Sequence, residues 1–470
     1  MSPRKHLIAC LTAALLIFNS PGATLYVNVN GDDPSPPYDS WSKAARTIQD
    51  AIGAAAAGDT ILVTNGVYTT GAYDVYGPSR VAITNAVTVR SVNGPAVTTI
   101  QGYQVPGVTN GPGAVRCAFV GSGATLSGFT LTGGGTTNGT VFWAGGGGAY
   151  CQSATASISN CIVSGNAAAM AGGGVVKGTV DNCLLIGNTS FGGTIDGGGG
   201  ASGALLRNCL LTGNWAVQGG GSAGGSLINC TVSGNSASGS AGGTSRSALY
   251  NCIVYYNTAP NAPNYTEPLT FMGLAHCCTT PIPTAGSGHF TNPPQFLDPS
   301  AGDFRLQTNS PCINAGDNGY MTSHLDFHGA PRISGFTVDV GACELQNPAS
   351  LLSYVWAQSY GFPTDGSGDN ADGDDDGMNN WHEWRCGTLP NDPLSLLKLA
   401  VPTGDASGIT LRWSSVFARK YYVECSTNLN TEPAFFLRTT NFPGHPGATT
   451  TWKDIRATNA GPYFYRIGVH

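Results

Sequence analysis

Asn160-Cys161-Ile162-Val163-Ser164-Gly165-Asn166 is the first of five similar stretches; the others span Asn182–Asn188, Asn208–Asn214, Asn229–Asn235 and Asn251–Asn257. Their cysteines stand 22, 26, 21 and 22 residues apart, and asparagine follows each one five positions later. A period near 22 residues marks a stacked solenoid, because so short a repeat cannot bury a core until its neighbours lie against it.

Aligned on cysteine, the repeats carry one aliphatic column three residues before it (Ile158, Val180, Leu206, Leu227, Leu249) and another two residues after it (Val163, Leu185, Leu211, Val232, Val254). Strand side chains alternate with period two, so the two columns cannot share one uninterrupted face. The asparagine just before each cysteine is the natural corner, since a short polar side chain tolerates the left-handed backbone of a bend. Cysteine and the second aliphatic then point inward together. Gly174, Gly200, Gly221 and Gly243 end glycine runs nine residues before the next cysteine, which confines length variation to one loop per turn, all on one edge. The expected fold is mainly β, a parallel β-helix. An earlier turn places Leu126, Phe129 and Leu131 in the inward columns, and residues 60–63, 87–89 and 98–100 read as less regular coils. Residues 41–57 read as a helix that caps the N-terminal end, with Ser40 or Ser42 as N-cap, because an open coil end exposes unpaired strands.

Composition agrees with a folded, exported chain. Only 10% of residues are charged and 67 are glycine, while 41% are hydrophobic, enough for a core. Arg4, Lys5 and His6 precede an apolar run from Leu7 to Phe18 and then Pro21-Gly22-Ala23, which reads as a secretory signal over 1–23 and is too short to span a membrane. Without it, 19 basic face 27 acidic residues, a net charge of −8 that argues against a nucleic-acid partner. No transmembrane segment is expected in the mature chain, and the sequence leaves the oligomeric state open. The remaining organisation is a β-helix over 24–345, with its cap in 24–58 and a closing module in 258–345. A helix-plus-loop linker over 346–394 and a small β-sandwich over 395–470 follow.

Fourteen cysteines in an exported chain suggest disulfides. Stacked neighbours, however, stand ~4.8 Å apart with parallel Cα–Cβ vectors, beyond the ~3.5–4.5 Å that a bridge needs between Cβ atoms. The five repeat cysteines are therefore expected to be buried, reduced thiols. Cys277, Cys278, Cys312 and Cys343 lie in irregular sequence, where two bridges joining the first two to the last two are expected, with the pairing open.

The Asn-Cys repeats, Thr60-Ile61-Leu62-Val63 with Gly66-Val67-Tyr68, Asp303-Phe304-Arg305-Leu306, Ser310 to Gly316 and Asp339 to Glu344 together resemble bacterial secreted right-handed β-helix proteins. These belong to the pectate-lyase-like superfold, in the group called choice-of-anchor Q, and the resemblance covers about residues 24–345. It implies a secreted or cell-surface location. The superfold hosts both carbohydrate-active enzymes and non-enzymatic surface proteins, so function must come from the residues.

Between Cys117 and Cys252 the only charged residues are Lys177, Asp181, Asp196, Arg207 and Arg246. Neither the base and acidic metal ligands of a polysaccharide lyase nor the carboxyl pair of a glycoside hydrolase is assembled there. Asp181 and Arg207 occupy the same position on adjoining turns and are expected to form a surface ion pair. Phe142, Trp143, Met170, Phe191 and Trp215 lie in or beside the variable loops, and flat aromatic faces along such an edge suit sugar rings. Trp143, Phe191 and Trp215 are the candidate ligand-binding residues. His324, Asp326 and His328 alternate as metal ligands on a strand would, although hydrogen bonding and ion pairing with Arg332 and Asp339 is the favoured reading.

Asp372-Gly-Asp374-Asp-Asp376-Gly377-Met378-Asn-Asn380-Trp-His-Glu383 satisfies an EF-hand-type Ca²⁺ loop: oxygens at positions 1, 3 and 5, glycine at 6, the Met378 carbonyl at 7, Asn380 at 9 and Glu383 at 12. Residues 361–371 separate it from the preceding apolar segment, so it resembles dockerin or thrombospondin type 3 calcium loops rather than a paired EF-hand. Asp365 and Asp369 are further candidate ligands. Lying between folded parts, the loop is suited to stiffening a junction. The favoured reading is thus an exported or cell-surface, non-enzymatic protein that presents a face for a polysaccharide or cell-surface glycan and has a calcium-stiffened tail. The alternative is a polysaccharide lyase or glycoside hydrolase with catalytic residues among Asp59, Asp74, Arg80 and Arg90 or in the closing module.

Overall fold

The computed structural model describes residues 22–193, 197–267, 273–417, 419–445, 447–459 and 461–469. Residues 1–21 of the expected export signal, Asp196 and the Phe142 side chain lie outside them.

Strands Ser157–Ser159, Thr179–Asp181, Leu205–Arg207, Ser226–Ile228 and Ala248–Tyr250 pair in parallel within a first sheet of 10 strands. Ile162–Ser164, Leu184–Ile186, Leu210–Thr212, Thr231–Ser233 and Ile253–Tyr255 do the same in a second sheet of nine. The registers align the columns directly: Val180 faces Leu206, and Leu185 faces Leu211. A third sheet of nine strands closes the right-handed parallel β-helix. The corner residues Asn160, Asn182, Asn208, Asn229 and Asn251 all hold φ between 49° and 55°, the left-handed conformation that resets side-chain parity. A short fourth sheet, Ala167–Ala168, Thr189–Ser190, Trp215–Gln218 and Ser236–Ser240, follows the closing asparagines. It was not legible in the repeat.

Two buried ladders run up the coil. Asn166, Asn188, Asn214, Asn235 and Asn257 each donate Nδ2 to the Oδ1 of the next asparagine at 2.8–3.2 Å, and the chain of amides ends on Asn264. Each Nδ2 also donates to a carbonyl of the preceding turn, and each backbone N–H donates to the next Oδ1, so both polar ends of every amide are satisfied without water. The cysteines form the second ladder, and all thirteen described cysteines are free and buried.

The N-terminal end is closed as expected, but by a shorter helix. Residues 41–43 form a single 3₁₀ turn and α1 spans Ile48–Ala54, burying Ile48, Ala51 and Ile52 against Leu25 and Ile61. Ser40 and Ser42 do not cap it; Thr47 does, accepting the Asp50 N–H at 3.1 Å. The helix starts late because Ala45 is drawn into extended pairing with Tyr26 and Asn28 at 2.9 and 2.8 Å.

The four cysteines of the expected disulfides are all free, and for Cys277 the reason is register. His276, at φ 50°, takes the corner position of asparagine on a sixth turn, so Cys277 joins the inward thiol column and donates to the Leu249 carbonyl at 3.5 Å. Cys278, the next residue, faces outward and packs with Cys312 in a second apolar cluster. That cluster lies outside the coil. Leu210 and Ile253, outward residues of the second sheet, are covered by Phe290, Phe296, Phe304, Ile313 and Val340 of the closing module. Ala342 N–H donates to Thr231 Oγ1 at 3.0 Å and Gly341 N–H to the Asn251 carbonyl at 2.9 Å, which docks the module laterally.

Two short helices follow, α3 over Tyr354–Ser359 and α4 over Asn380–Cys386. The C-terminal part is two three-stranded antiparallel sheets enclosing Leu411, Trp413, Tyr421, Val423 and Val469. No helix among the described residues is long and apolar enough to cross a membrane.

Candidate binding edge and metal loop

The variable loops emerge beside the fourth sheet, and aromatic rings collect there. Trp215 pairs with Thr189 across adjoining strands, and Phe191 follows two residues later, so the two rings meet at 5.9 Å and 54°. Phe191 is 51% exposed and Trp143 42%, whereas Trp215 is half-buried. Met170 and Phe191 are tied to the preceding turns through Ala144 and Ala168 at 2.9 and 3.0 Å. Trp143 sits at the N-terminal end of this edge on α2, Val141–Ala144.

Sequence reading missed how that end is held. Arg116 is 1% exposed and donates to Tyr76 O at 2.7 Å, and to Trp143 O and Gly145 O at 3.1 Å each. It thereby fastens the Tyr76 turn, where tyrosine adopts φ 54°, to the Trp143 helix. The Tyr76 ring, 44% exposed, lies 6.0 Å from Phe119 and 6.3 Å from Tyr150, which stack at 6.2 Å. Burial lowers the Arg116 guanidinium to about 10, and it stays cationic at neutral pH. The one advance signal was a tyrosine preceding glycine at a left-handed turn.

Of the coil residues considered for catalysis, Asp59, Asp74 and Arg80 are occupied by backbone groups, and Arg90 is exposed. Asp59 accepts the backbone N–H groups of Ala23 and Ala56 at 2.7 and 2.8 Å, and Asp74 accepts that of Gly77 at 3.0 Å. Arg80 donates to the carbonyls of Gly71, Gln101 and Gly102. Arg207 and Asp181 form the expected two-pronged pair at 2.5 and 2.7 Å, each about one-third exposed.

His324, Asp326 and His328 do not share a strand face. They lie on a tight turn in which the Asp326 carboxylate is committed to the backbone, accepting the N–H groups of His328 and Ala330 at 2.9 Å and that of Glu344 at 3.0 Å. Arg332 donates to Ala342 O at 2.9 Å and also to Gly341 O, while Asp339 accepts from Asn314 and Leu345 at 2.8 and 2.7 Å. These groups are almost fully buried. Burial pushes Asp339 up to about 7, and burial together with the Asp339 charge pushes Glu344 up to about 9.

In the loop over 372–383 the carboxylates of Asp372, Asp374 and Asp376 each bring an oxygen within 4.8 Å of the others. Gly377, at φ 93°, makes the turn and donates to Asp372 Oδ2 at 2.9 Å, and Met378 N–H donates to Asp376 Oδ1 at 2.7 Å. Glu383 is 0% exposed, yet neither of its oxygens has a hydrogen-bond partner among the described residues. Burial, then the charges of Asp374, Asp376 and Asp372, raise it to about 7. Asp374 is likewise unpartnered at both oxygens, and one oxygen of each of Asp372, Asp376 and Asn380 is too. Buried orphan acceptors converging on one point fit a hard cation with oxygen ligands. Asn380 commits its Nδ2 to Gly368 O at 2.8 Å. Asp369 and Asp365 do not join the cluster: the first holds Ser350 Oγ and Leu351 N–H at 2.6 and 2.9 Å, and the second caps Ser367.

The loop is fastened on both sides. Phe336 of the closing module lies 5.8 Å from each of Trp381 and Trp384, with the Arg385 guanidinium 4.6 Å over its ring. From the other flank of α4, Cys386 enters the sandwich core with Met378, Arg385 donates to Val469 O at 3.1 Å, and Arg419 donates to Trp384 O at 2.8 Å.

No protein-family model matches the chain, and no curated protein matches it. Among solved structures it is similar to a pectate lyase, with a TM-score of 0.43 and 16% identity over 69% of this chain and 97% of that one. It is also similar to a pectin methylesterase in complex with a hexasaccharide, with a TM-score of 0.26 and 14% identity over 55% of this chain and 78% of that one. A third likeness is to the A-module of a mannuronan C-5 epimerase of Azotobacter vinelandii, with a TM-score of 0.28 and 16% identity over 54% and 74%. The likeness is one of coil architecture, which the strand registers establish by themselves.

Proposed function

We propose that this is an exported, non-enzymatic β-helix protein that holds a saccharide along the edge formed by Trp143, Phe191 and Trp215, and whose tail is stiffened by Ca²⁺. The observation that carries the reading is the ring pair of exposed Phe191 and half-buried Trp215 on adjoining turns, with exposed Trp143 and Tyr76 held through their carbonyls by Arg116. Flat apolar faces at the spacing of stacked turns can hold successive rings of an extended chain. The export signal over 1–23 and a secreted or surface location belong to the same proposal.

Calcium fits the orphaned oxygens of Asp372, Asp374, Asp376 and Glu383, with the Met378 carbonyl and Asn380 completing the set. A bound ion would neutralise the mutual repulsion of four carboxylates and so keep α4 wedged between Phe336 and the sandwich. Polysaccharide-array binding of the intact protein tests the edge: loss on Trp143→Ala and Trp215→Ala is expected, and unchanged binding, or none in the parent, removes the proposal. Titration calorimetry with CaCl₂ tests the loop separately, with heat expected from the parent and lost in Glu383→Gln. Unsaturated or reducing products from uronic or neutral polysaccharides would instead identify an enzyme.

A further inference from the structure

The C-terminal sandwich carries a cleft of its own, lined by residues that take no part in the coil edge. A cleft of about 280 Å³ opens between its two sheets, lined by Arg438 and Thr439 from one, by Trp452, Lys453 and Asp454 from the other, and by Arg456 in the turn that follows. That volume sits at the small end of ligand pockets, roughly one ring in size.

Arg438 is aimed by the backbone. Leu437 pairs with Glu424 and Thr439 with Val423, so Arg438 is the extra residue of a β-bulge. Bulges of this kind re-aim a side chain. Its Nε is buried and has no hydrogen-bond partner among the described residues. Asp454 does not supply one: at 3.7 Å its Oδ2 is beyond hydrogen-bond range and already accepts the Tyr465 hydroxyl at 3.0 Å, while its Oδ1 takes the Arg456 N–H at 3.1 Å. Lys453 is engaged by Asp405 at 2.9 Å. The Arg456 side chain is exposed and makes no ion pair among the described residues. A guanidinium whose buried Nε lacks a hydrogen bond, with only the Asp454 carboxylate at 3.7 Å to offset its charge and a second guanidinium lining the same cleft, suits an external anion with paired oxygens.

We infer that this cleft binds an acidic saccharide, its carboxylate or sulfate held by Arg438 and Arg456 and its ring lying against Trp452. The site is independent of the coil edge, so one molecule has two saccharide contacts. The avidity of such a pair is set by their spacing on a chain whose joint the calcium loop would hold.

The test is calorimetry of the full-length protein with oligogalacturonate, a sulfated oligosaccharide and a neutral glucan, carried out in the Trp143→Ala/Trp215→Ala background so that coil-edge binding does not contribute. Binding of one or both acidic ligands is expected, weakening with added salt and falling roughly tenfold or more in Arg456→Gln. The two acidic ligands distinguish a carboxylate from a sulfate. Arg438→Gln is expected to lose affinity equally, with near-UV circular dichroism confirming that the sheets still pack. Equal affinity for neutral and acidic ligands, no binding of either acidic ligand, or Arg456→Gln binding like its parent would each overturn the assignment. A failure here leaves the coil-edge proposal standing, since that is read from the array with Arg438 and Arg456 intact.

Discussion

Removing one rung of the asparagine ladder should cost far more than its polar character suggests. Asn214 is 0% exposed. Its Nδ2 donates to Leu185 O and Asn235 Oδ1 at 2.9 and 2.8 Å, and its Oδ1 accepts both the backbone N–H and the Nδ2 of Asn188 at 2.9 and 3.0 Å. Alanine at this position deletes all four bonds. The Asn188 N–H then loses its acceptor inside the coil, and the other three groups each lose a partner. At ~1–3 kcal/mol for a buried group left unpaired, partly relieved where a second bond survives, the expected loss is about 3–5 kcal/mol. Guanidinium unfolding followed by far-UV circular dichroism measures it as a lowered midpoint. Asn214→Asp sharpens the test, because it keeps the acceptor, loses the donors and buries a charge. Its native carboxyl pKa is raised, so the variant should be less stable at pH 7 than at pH 4. If Asn214→Ala falls within about 1 kcal/mol of the parent, the ladder contributes shape rather than hydrogen bonding, and the account of the coil interior given above is wrong.

The closing module should show an opposite acid dependence to that of paired surface carboxylates. Asp339 and Glu344 have native pKa values raised to about 7 and about 9, so the folded state holds protons that the unfolded chain releases near pH 4. Their contribution is full below that pH and is lost as pH rises through 7 and 9; the melting temperature should fall across this window and flatten in Glu344→Gln. The thiol ladder should be chemically silent. None of Cys161, Cys183, Cys209, Cys230, Cys252 and Cys277 is more than 2% exposed, so iodoacetamide at pH 8 should label no ladder cysteine before denaturation, as read by peptide mass spectrometry.

Much of the coil was legible because a stacked fold writes its long-range contacts as a local period. Val180 and Leu206 touch because each lies three residues before a cysteine, and the asparagine corners followed from side-chain parity alone. The clustering of Asp372, Asp374 and Asp376 was legible for a similar reason, since these carboxylates come from one short segment. What lacked a period was hidden. Cys277 was misread because His276 stands where the other turns have asparagine, and the histidine adopts the same left-handed corner. The aliphatic residues directly after the cysteines, Leu210 and Ile253, signalled in retrospect that something covers the second sheet from outside.

By itself the sequence determined the turn length, the inward columns, the corner at each asparagine and the acidic loop, all of which depend on spacing within about two dozen residues. Only the tertiary structure decided that Arg116 joins Tyr76 to Trp143, that Phe336 seats α4, that the closing module docks on Thr231 and Asn251, and that a bulge turns Arg438 toward Trp452 and Arg456. Those contacts join residues with no shared repeat, and a single side chain's partner across such separations is set by how whole layers pack.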